Sequence, residues 1–303
     1  MLIPIKFTFE KNTAVTTLTK ILRWLLGLTF IFSAYTKFVG PGFFEITLID
    51  QGLVPNRMWA QHAARFLIGV EFALGLLMLL PYYTKHLVLV SGLMIMGFTI
   101  HLGYLWAIGD TENCGCFGEM ISMSPAESIL KNIAMLAVAV FVWVKSTNQP
   151  TNKRALYITS LLVIGSMWWW LPISNAADFP FNSFTYFEHK GRTDLTAGEK
   201  MIAVFNLDCE HCQELATEMA ALEKTNPQFP DTYVLYFSEG STTPTDFELL
   251  TQSKFPYAFI DVNTFFNLIG DSPPRLYHTI DGEVINIWDT DASNQLTKML
   301  TNK

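Results

Sequence analysis

The chain has 303 residues, 50% hydrophobic and only 16% charged, with 20 Lys and Arg against 27 Asp and Glu and a formal net charge of −7. Soluble proteins carry roughly 25% charged residues, so the deficit, concentrated in residues 1–175, points to a membrane-embedded part. The acidic balance and the lack of a basic, aromatic-interleaved patch argue against nucleic acid as a partner. In chain order, apolar runs cover Leu18–Phe38, Ala63–Leu80, Leu87–Ile108, Glu127–Val144 and Leu156–Pro172. A crossing needs about 20 residues, so these runs predict a bundle of about five transmembrane helices. The first run follows a Lys-bearing arm (Lys6, Lys11, Lys20). It is too long for a signal-peptide core and no clean cleavage site follows, so it reads as an uncleaved helix.

Lys and Arg set the orientation. The N-terminal arm, the 81–86 turn with Lys85 and the 145–155 connector (Lys145, Lys153, Arg154) are basic. The 109–126 loop holds Asp110, Glu112 and Glu119 but no Lys or Arg. With the N-terminus inside, an odd number of crossings puts that loop and the C-terminal part on the same outer side. Arg57 in the 38–62 loop fits less well. Trp168, Trp169 and Trp170 read as an interfacial belt closing the fifth run.

Ionisable residues inside such runs are functional suspects. Glu71 and His101 fall at similar depths, about 10–12 Å below the outer surface at ~1.5 Å per residue, with Lys37 and Arg65 near that surface. Two readings stand side by side. These four side chains hold a quinone head and move its protons, or Glu71 forms a structural ion pair with Lys37 or Arg65. His62, His86, His189 and His278 read as surface or turn residues.

Only four cysteines occur, as Cys114/Cys116 within Glu112-Asn-Cys-Gly-Cys-Phe-Gly-Glu-Met120 and as Cys209/Cys212 within Asp208-Cys-Glu-His-Cys212. Two close pairs with none left over indicate redox or metal chemistry. A disulfide across Cys-Gly-Cys closes a small, constrained ring that is easily reduced. A reduced turn, or copper or zinc capture, is the alternative there. For Cys209/Cys212 the alternatives are half a zinc site, which lacks the remaining ligands, and a merely structural disulfide; no metal is expected.

From Phe179 the pattern becomes that of a globular domain. Lys200–Leu207 reads as a strand, Gln213–Lys224 as a helix, Thr232–Ser238 as a strand and Thr245–Lys254 as a helix. Leu276–Ile280 and Val284–Trp288 form a hairpin across Asp281-Gly282, and Ser293–Leu300 is a closing helix. The first thiol, Cys209, falls at a helix N-terminus, where the dipole favours a thiolate.

This order, with Ser272-Pro-Pro-Arg275 ahead of the hairpin, resembles an α/β thioredoxin-like domain of the TlpA and MauD kind. The resemblance implies that a cis-proline lies against the CxxC; Pro274 matches best, with Pro273 as the alternative. Asp208 replaces the usual Trp before the first Cys, and Glu-His replaces Gly-Pro between the cysteines. Upstream, Leu22-Arg-Trp-Leu-Leu-Gly27, Ser33-Ala-Tyr-Thr-Lys37, Val70-Glu71 and Asn113-Cys-Gly-Cys-Phe-Gly118 are similar to the DoxX-like/MauE membrane family over roughly 15–145. MauE is an accessory protein in methylamine utilisation that works beside the thioredoxin-like MauD. The chain thus reads as a 1–150 helical membrane domain, a 151–178 fifth helix and linker, and a 179–303 thioredoxin-like domain facing the periplasm.

The expected function is that of a bacterial inner-membrane thiol–disulfide oxidoreductase. It would exchange with periplasmic clients through Cys209 and Cys212 and relay electrons through Cys114/Cys116. A quinone is the expected acceptor, with no cofactor tightly bound. Delivery of reductant to envelope thiols, or a non-catalytic membrane-anchored maturation chaperone, are the alternatives.

Overall fold

The computed structural model describes residues 13–80, 84–109, 115, 117, 121, 123–146, 153–173, 176–289 and 291–301. The chain divides into two compact units, Met1–Pro172 and Ile173–Lys303. The first is helical: α1 (Thr13–Val39), α2 (Pro41–Asp50), α3 (Arg57–Leu79), α4 (Thr84–Ala107), α5 (Pro125–Lys145) and α6 (Lys153–Trp170). Local chemistry sets the starts. Asn56 caps α3 by accepting from the Trp59 amide, and Ser124 with Glu127 forms a capping box at α5 with Pro125 in its first turn.

Four of the expected crossings, Val15–Val39, Arg57–Leu79, Thr84–Ala107 and Pro125–Lys145, are helices long and apolar enough to span a membrane. The fifth run is also a helix, α6, which is not among those four. Its 18 residues extend about 27 Å, opening on Lys153-Arg154 and closing on three tryptophans. The 38–62 segment, expected as a loop, contains α2. Pro41 occupies its first turn, where a missing N–H costs nothing.

Helices α1 and α3, α4 and α5, and α3 and α6 pack as pairs. Leu26, Phe30, Leu74, Met78, Ile95 and Val142 form one core; Ala34, Phe44, Leu48, Ala64, Ile68 and Met167 form another. Large apolar side chains also face outward: Ile100, Leu130, Val140, Leu161 and Leu162 are each at least 60% exposed. Helices that are apolar on their outer face suit a lipid surround, not water. At two crossings the backbones nearly touch. A Cβ on Gly75 would lie 2.7 Å from the Gly27 carbonyl oxygen, and one on Gly69 2.9 Å from the Ile164 Cα. Small residues at such crossings let membrane helices approach closely.

The second unit is a thioredoxin-like α/β domain. A short hairpin of β1 (Tyr186–Phe187) and β2 (Gly191–Arg192) precedes a five-stranded sheet. The sheet contains β3 (Glu199–Asn206), β4 (Asp231–Phe237), β5 (Tyr257–Phe259), β6 (Arg275–Ile280) and β7 (Glu283–Trp288), in the order β5-β4-β3-β6-β7. Strands β3, β4 and β5 run parallel; β6 and β7 are antiparallel. One face packs on α7 (Glu210–Thr225), α8 (Pro244–Thr251) and α10 (Ala292–Thr301), through Met201, Ala203 and Phe205 against Leu215, Met219, Phe247 and Leu296. On the other face Phe181 meets Tyr277, Phe187 meets Tyr233, and Phe265 of α9 (Val262–Leu268) stacks on Phe237. The β6–β7 turn takes positive φ at both Asp281 (48°) and Gly282 (84°), the signature of a two-residue hairpin loop.

His278, expected at a surface or turn, is 5% exposed in the middle of β6. It is held between Glu199 (2.8 Å) and Asn286 (3.2 Å) and stacks on Trp288. A strand covered on both faces buries every position, and the Glu199 carboxylate satisfies the ring.

Candidate redox site

Strand β3 ends at Asn206, and the next residues turn into α7 with Cys209 as its N-cap. The Cys209 carbonyl accepts from the amides of Cys212 and Gln213, both at 3.1 Å, while its own amide donates to Asn206 at 3.2 Å. Side chains brace the turn. The Asp208 amide donates to Asn206 Oδ1, Gln213 Nε2 donates to the Leu207 carbonyl, and Asn206 Nδ2 donates to Glu239. Asp208, where many thioredoxins have Trp, clasps the loop after β4. Its carboxylate accepts from the Gly240 amide (2.8 Å) and the Thr242 hydroxyl (2.6 Å). Burial opposes ionisation of Asp208, but these hydrogen bonds outweigh it and hold the carboxyl below its ordinary range. A Cβ on Gly240 would sit 2.6 Å from Asp208 Oδ1, so the clasp requires glycine.

The two thiols differ sharply. Both are free, Cys209 partly exposed and Cys212 fully buried in the core under α7. The hydrogen bond from the Cys212 thiol lowers the Cys209 thiol to about 6, against the cost of burial. The amides of Cys212 and His211 and the charge of His211 add to the effect. The exposed His211 imidazole is itself raised by Glu214, 3.2 Å away. Burial pushes Cys212 up, and the neighbouring Cys209 adds to it. A partly exposed, acidic thiol above a buried one is the arrangement that an attacking and a resolving thiol would need. The Pro273–Pro274 peptide is cis, which makes Pro274 the cis-proline, and Cys209 Sγ lies 3.9 Å from the Pro273 carbonyl. A groove of about 550 Å³ runs from His211 and Leu215 to Pro273 and Pro274, rimmed by Glu214, Glu218 and Asp291.

In the helical unit, Cys114 and Cys116 lie outside the described residues. Gly115 between them is described. Its φ is +67°, and a Cβ there would lie 2.9 Å from Thr47 Cγ2 of α2, so both backbone and space demand glycine. Gly115 lines a cavity together with Lys37, Glu71, His101 and Gln51. Lys37 Nζ donates to both Glu71 oxygens (3.2 and 3.1 Å) and to Ser33 Oγ (2.6 Å), and both charged residues are 4% exposed or less. His101 Nε2 and Gln51 Oε1 are 3.1 Å apart. Three of the four expected pocket residues therefore meet, with Lys37 and Glu71 as an ion pair.

Arg65 does not join them. Its guanidinium binds Glu45 of α2 (2.7 Å) and the carbonyls of Gln61, Leu171 and Pro172, while Arg57 takes the second Glu45 oxygen at 2.8 Å. Hydrogen bonding to the chain end of α6 leaves it no reach into the cavity. Glu45 and Gln51 went unnoticed because α2 did; the Phe43-Phe44 and Ile46–Ile49 spacing around Glu45 was the available signal.

Residues 15–145 match the family model of the methylamine utilisation protein MauE. Lys37, Glu71 and His101 all lie within this MauE-matching segment. The chain is also 27% identical over 319 residues to protein TlpB of Flavobacterium psychrophilum, covering 84% of this chain and 87% of that protein. That span is longer than either unit, so the likeness crosses from the MauE-matching helices into the CxxC domain. With its apolar helices and the MauE match, this is a multi-pass membrane protein.

Proposed function

We propose that the chain is a thiol–disulfide oxidoreductase that takes electrons from envelope proteins and hands them to its own Cys-Gly-Cys pair. The carrying observation is the asymmetry of Cys209 and Cys212: one thiol partly exposed with its pKa near 6, the other sealed in the core. A client thiolate attacks Cys209 of the Cys209–Cys212 disulfide and Cys212 leaves. A second client thiolate then attacks the client sulfur and expels Cys209, a good leaving group because its thiolate is stabilised. The client gains a disulfide and the domain holds the two electrons, with Cys212 protonated and Cys209 left largely as the thiolate, so the other proton goes to solvent. Cys209 next attacks the Cys114–Cys116 disulfide, Cys212 resolves the mixed disulfide, and the electrons reach the membrane-proximal pair. An isoprenoid quinone is the onward acceptor.

This scheme requires both pairs on one side, the periplasmic face of a bacterial inner membrane, with α6 as a fifth crossing. The lack of Lys and Arg in 109–126 supports it, as do the exposed Leu161 and Leu162 of α6. The likeness to protein TlpB across both units supports treating them as one working pair. The opposite flow, reductant delivered outward, lacks a carrier because the apolar runs contain no cysteine.

Substrate trapping tests the proposal. Cys212→Ser in the full chain is expected to accumulate mixed disulfides on non-reducing gels, and Cys209→Ser is not. If Cys212→Ser forms no adduct in growing cells, the domain is a non-catalytic anchor for maturation. In acid-quenched cells, Cys209/Cys212 is expected to be mainly oxidised in wild type and reduced in Cys114→Ser/Cys116→Ser.

A further inference from the structure

The cavity of the helical unit has walls from α1, α2, α3, α4 and α5. It encloses about 80 Å³ open to the centres of water-sized spheres, where roughly 10–15 Å³ admits one water. That is room for a small cyclic head group, not for a peptide. Phe30, Phe44 and Phe98 supply flat apolar walls. The polar groups are the buried Lys37–Glu71 pair on one side, the half-buried His101 and Gln51, 3.1 Å apart, on another, and Lys131 and Asn132 of α5. The pair cancels its own charge and leaves Lys131 as the further cation of the lining, so the site suits a ligand that is uncharged at rest, accepts hydrogen bonds at its ends and gains negative charge on reduction. Such a ligand must also reach the cavity from within a lipid-facing helix bundle.

We infer that this cavity binds the head group of a lipid-soluble quinone, with Lys37, Glu71, His101 and Gln51 as its polar contacts. The inference rests on the proposed relay for the source of electrons and deepens it by giving the acceptor a site. Oxidation of the Cys114/Cys116 dithiol to a disulfide releases two electrons and two protons. A quinone takes up both electrons and one proton on each carbonyl oxygen, becoming a quinol, so the step balances without a further reactant. Gly115, bonded to both cysteines, is part of the cavity wall. The buried Lys37 and Glu71 and the half-buried His101 are the groups able to pass protons to the carbonyl oxygens. Lys131, whose ammonium lies 4.2 Å from the centre of the Phe117 ring, also lines the cavity and favours negative charge building on the ring during reduction.

The test uses the full chain in lipid nanodiscs, titrated with decylubiquinone and, separately, a short-chain menaquinone. Binding is read by the concentration-dependent rise in melting temperature, and reoxidation by thiol counting after prior reduction. Saturable binding of at least one quinone is expected. His101→Leu should weaken it at least tenfold, as should the charge-free double variant Lys37→Met/Glu71→Leu, which spares the fold an unpaired buried charge. Cys114→Ser/Cys116→Ser should bind like wild type while losing reoxidation. Equal affinity in wild type and both cavity variants, or no saturable binding of either quinone, overturns the site. Quinone binding that depends on His101 but leaves reduced wild type unoxidised upholds the site and instead rejects the relay.

Discussion

The Cys212 thiol is the largest single cause of the lowered Cys209 pKa, and replacing it separates that cause from the helix terminus. In a Cys114→Ser/Cys116→Ser background, Cys212→Ala removes the donor and Cys212→Ser replaces it with a hydroxyl. A hydrogen bond to a charged group is worth about 1.5–3 kcal/mol, and one pH unit corresponds to about 1.4 kcal/mol. The Cys209 midpoint should therefore rise by about one to two pH units in Cys212→Ala, from near 6 toward the ordinary thiol value of about 8.5. In Cys212→Ser it should stay within about half a unit, because the hydroxyl still donates. The observable is the pH profile of alkylation, or of the ultraviolet thiolate absorbance, and not the rate at one pH. A less basic thiolate is also a weaker nucleophile, with a Brønsted slope of about 0.4–0.5, so the two effects largely cancel near neutrality. An unchanged midpoint in Cys212→Ala would refute the reasoning and leave the backbone amides, the helix dipole and the charge of His211 as the cause.

The same lowered pKa sets a pH dependence of stability in the reduced protein. Cys209 stabilises the fold fully above its unfolded value of about 8.5 and loses that contribution as pH falls through about 6. Melting curves of reduced wild type and Cys209→Ser should therefore diverge as pH rises across that window; parallel curves would reject the lowered pKa. Breaking the buried ion pair with Glu71→Gln or Lys37→Met should cost about 3–5 kcal/mol, whereas Lys37→Met/Glu71→Leu should be near neutral. Thermal unfolding in detergent reads both, and equal losses for single and double variants would show that the pair is not the determinant. A membrane-impermeant thiol reagent applied to reduced spheroplasts should label Cys116 and Cys209 alike. Labelling of Cys116 without Cys209 would mean that α6 does not cross.

The redox half of the molecule was readable where chemistry and chain order coincide. A strand, a CxxC and a helix are contiguous, so Cys209 at an N-cap needed no tertiary information, and Asp281-Gly282 announced its own hairpin. What stayed hidden depends on contacts distant in sequence. The partner that buries His278 is Glu199, and Arg65 finds Glu45 only because α2 forms. Gly40, Pro41 and Gly42 disguised that helix, since the same residues punctuate loops. Strand β5 has three residues, too few for alternation to register. In the membrane half, apolar length marked four crossings, while α6 differs by its Lys153-Arg154 start and its aromatic end. Glu71 and His101 were matched by depth alone, which fixes height but not direction around the helix axis. That is why Lys37 was found with them and Arg65 was not.

Helix α3 is fastened on three sides. Gly75 meets the backbone of α1 and Gly69 that of α6, while Glu71 holds Lys37 of α1 and Arg65 holds both Glu45 of α2 and the end of α6. A carrier that moves solutes by alternating access must slide or rock its helices past one another. Here any such motion would strand a buried charge or pull touching backbones away from each other. The bundle is thus built as a stationary frame whose helices keep their places.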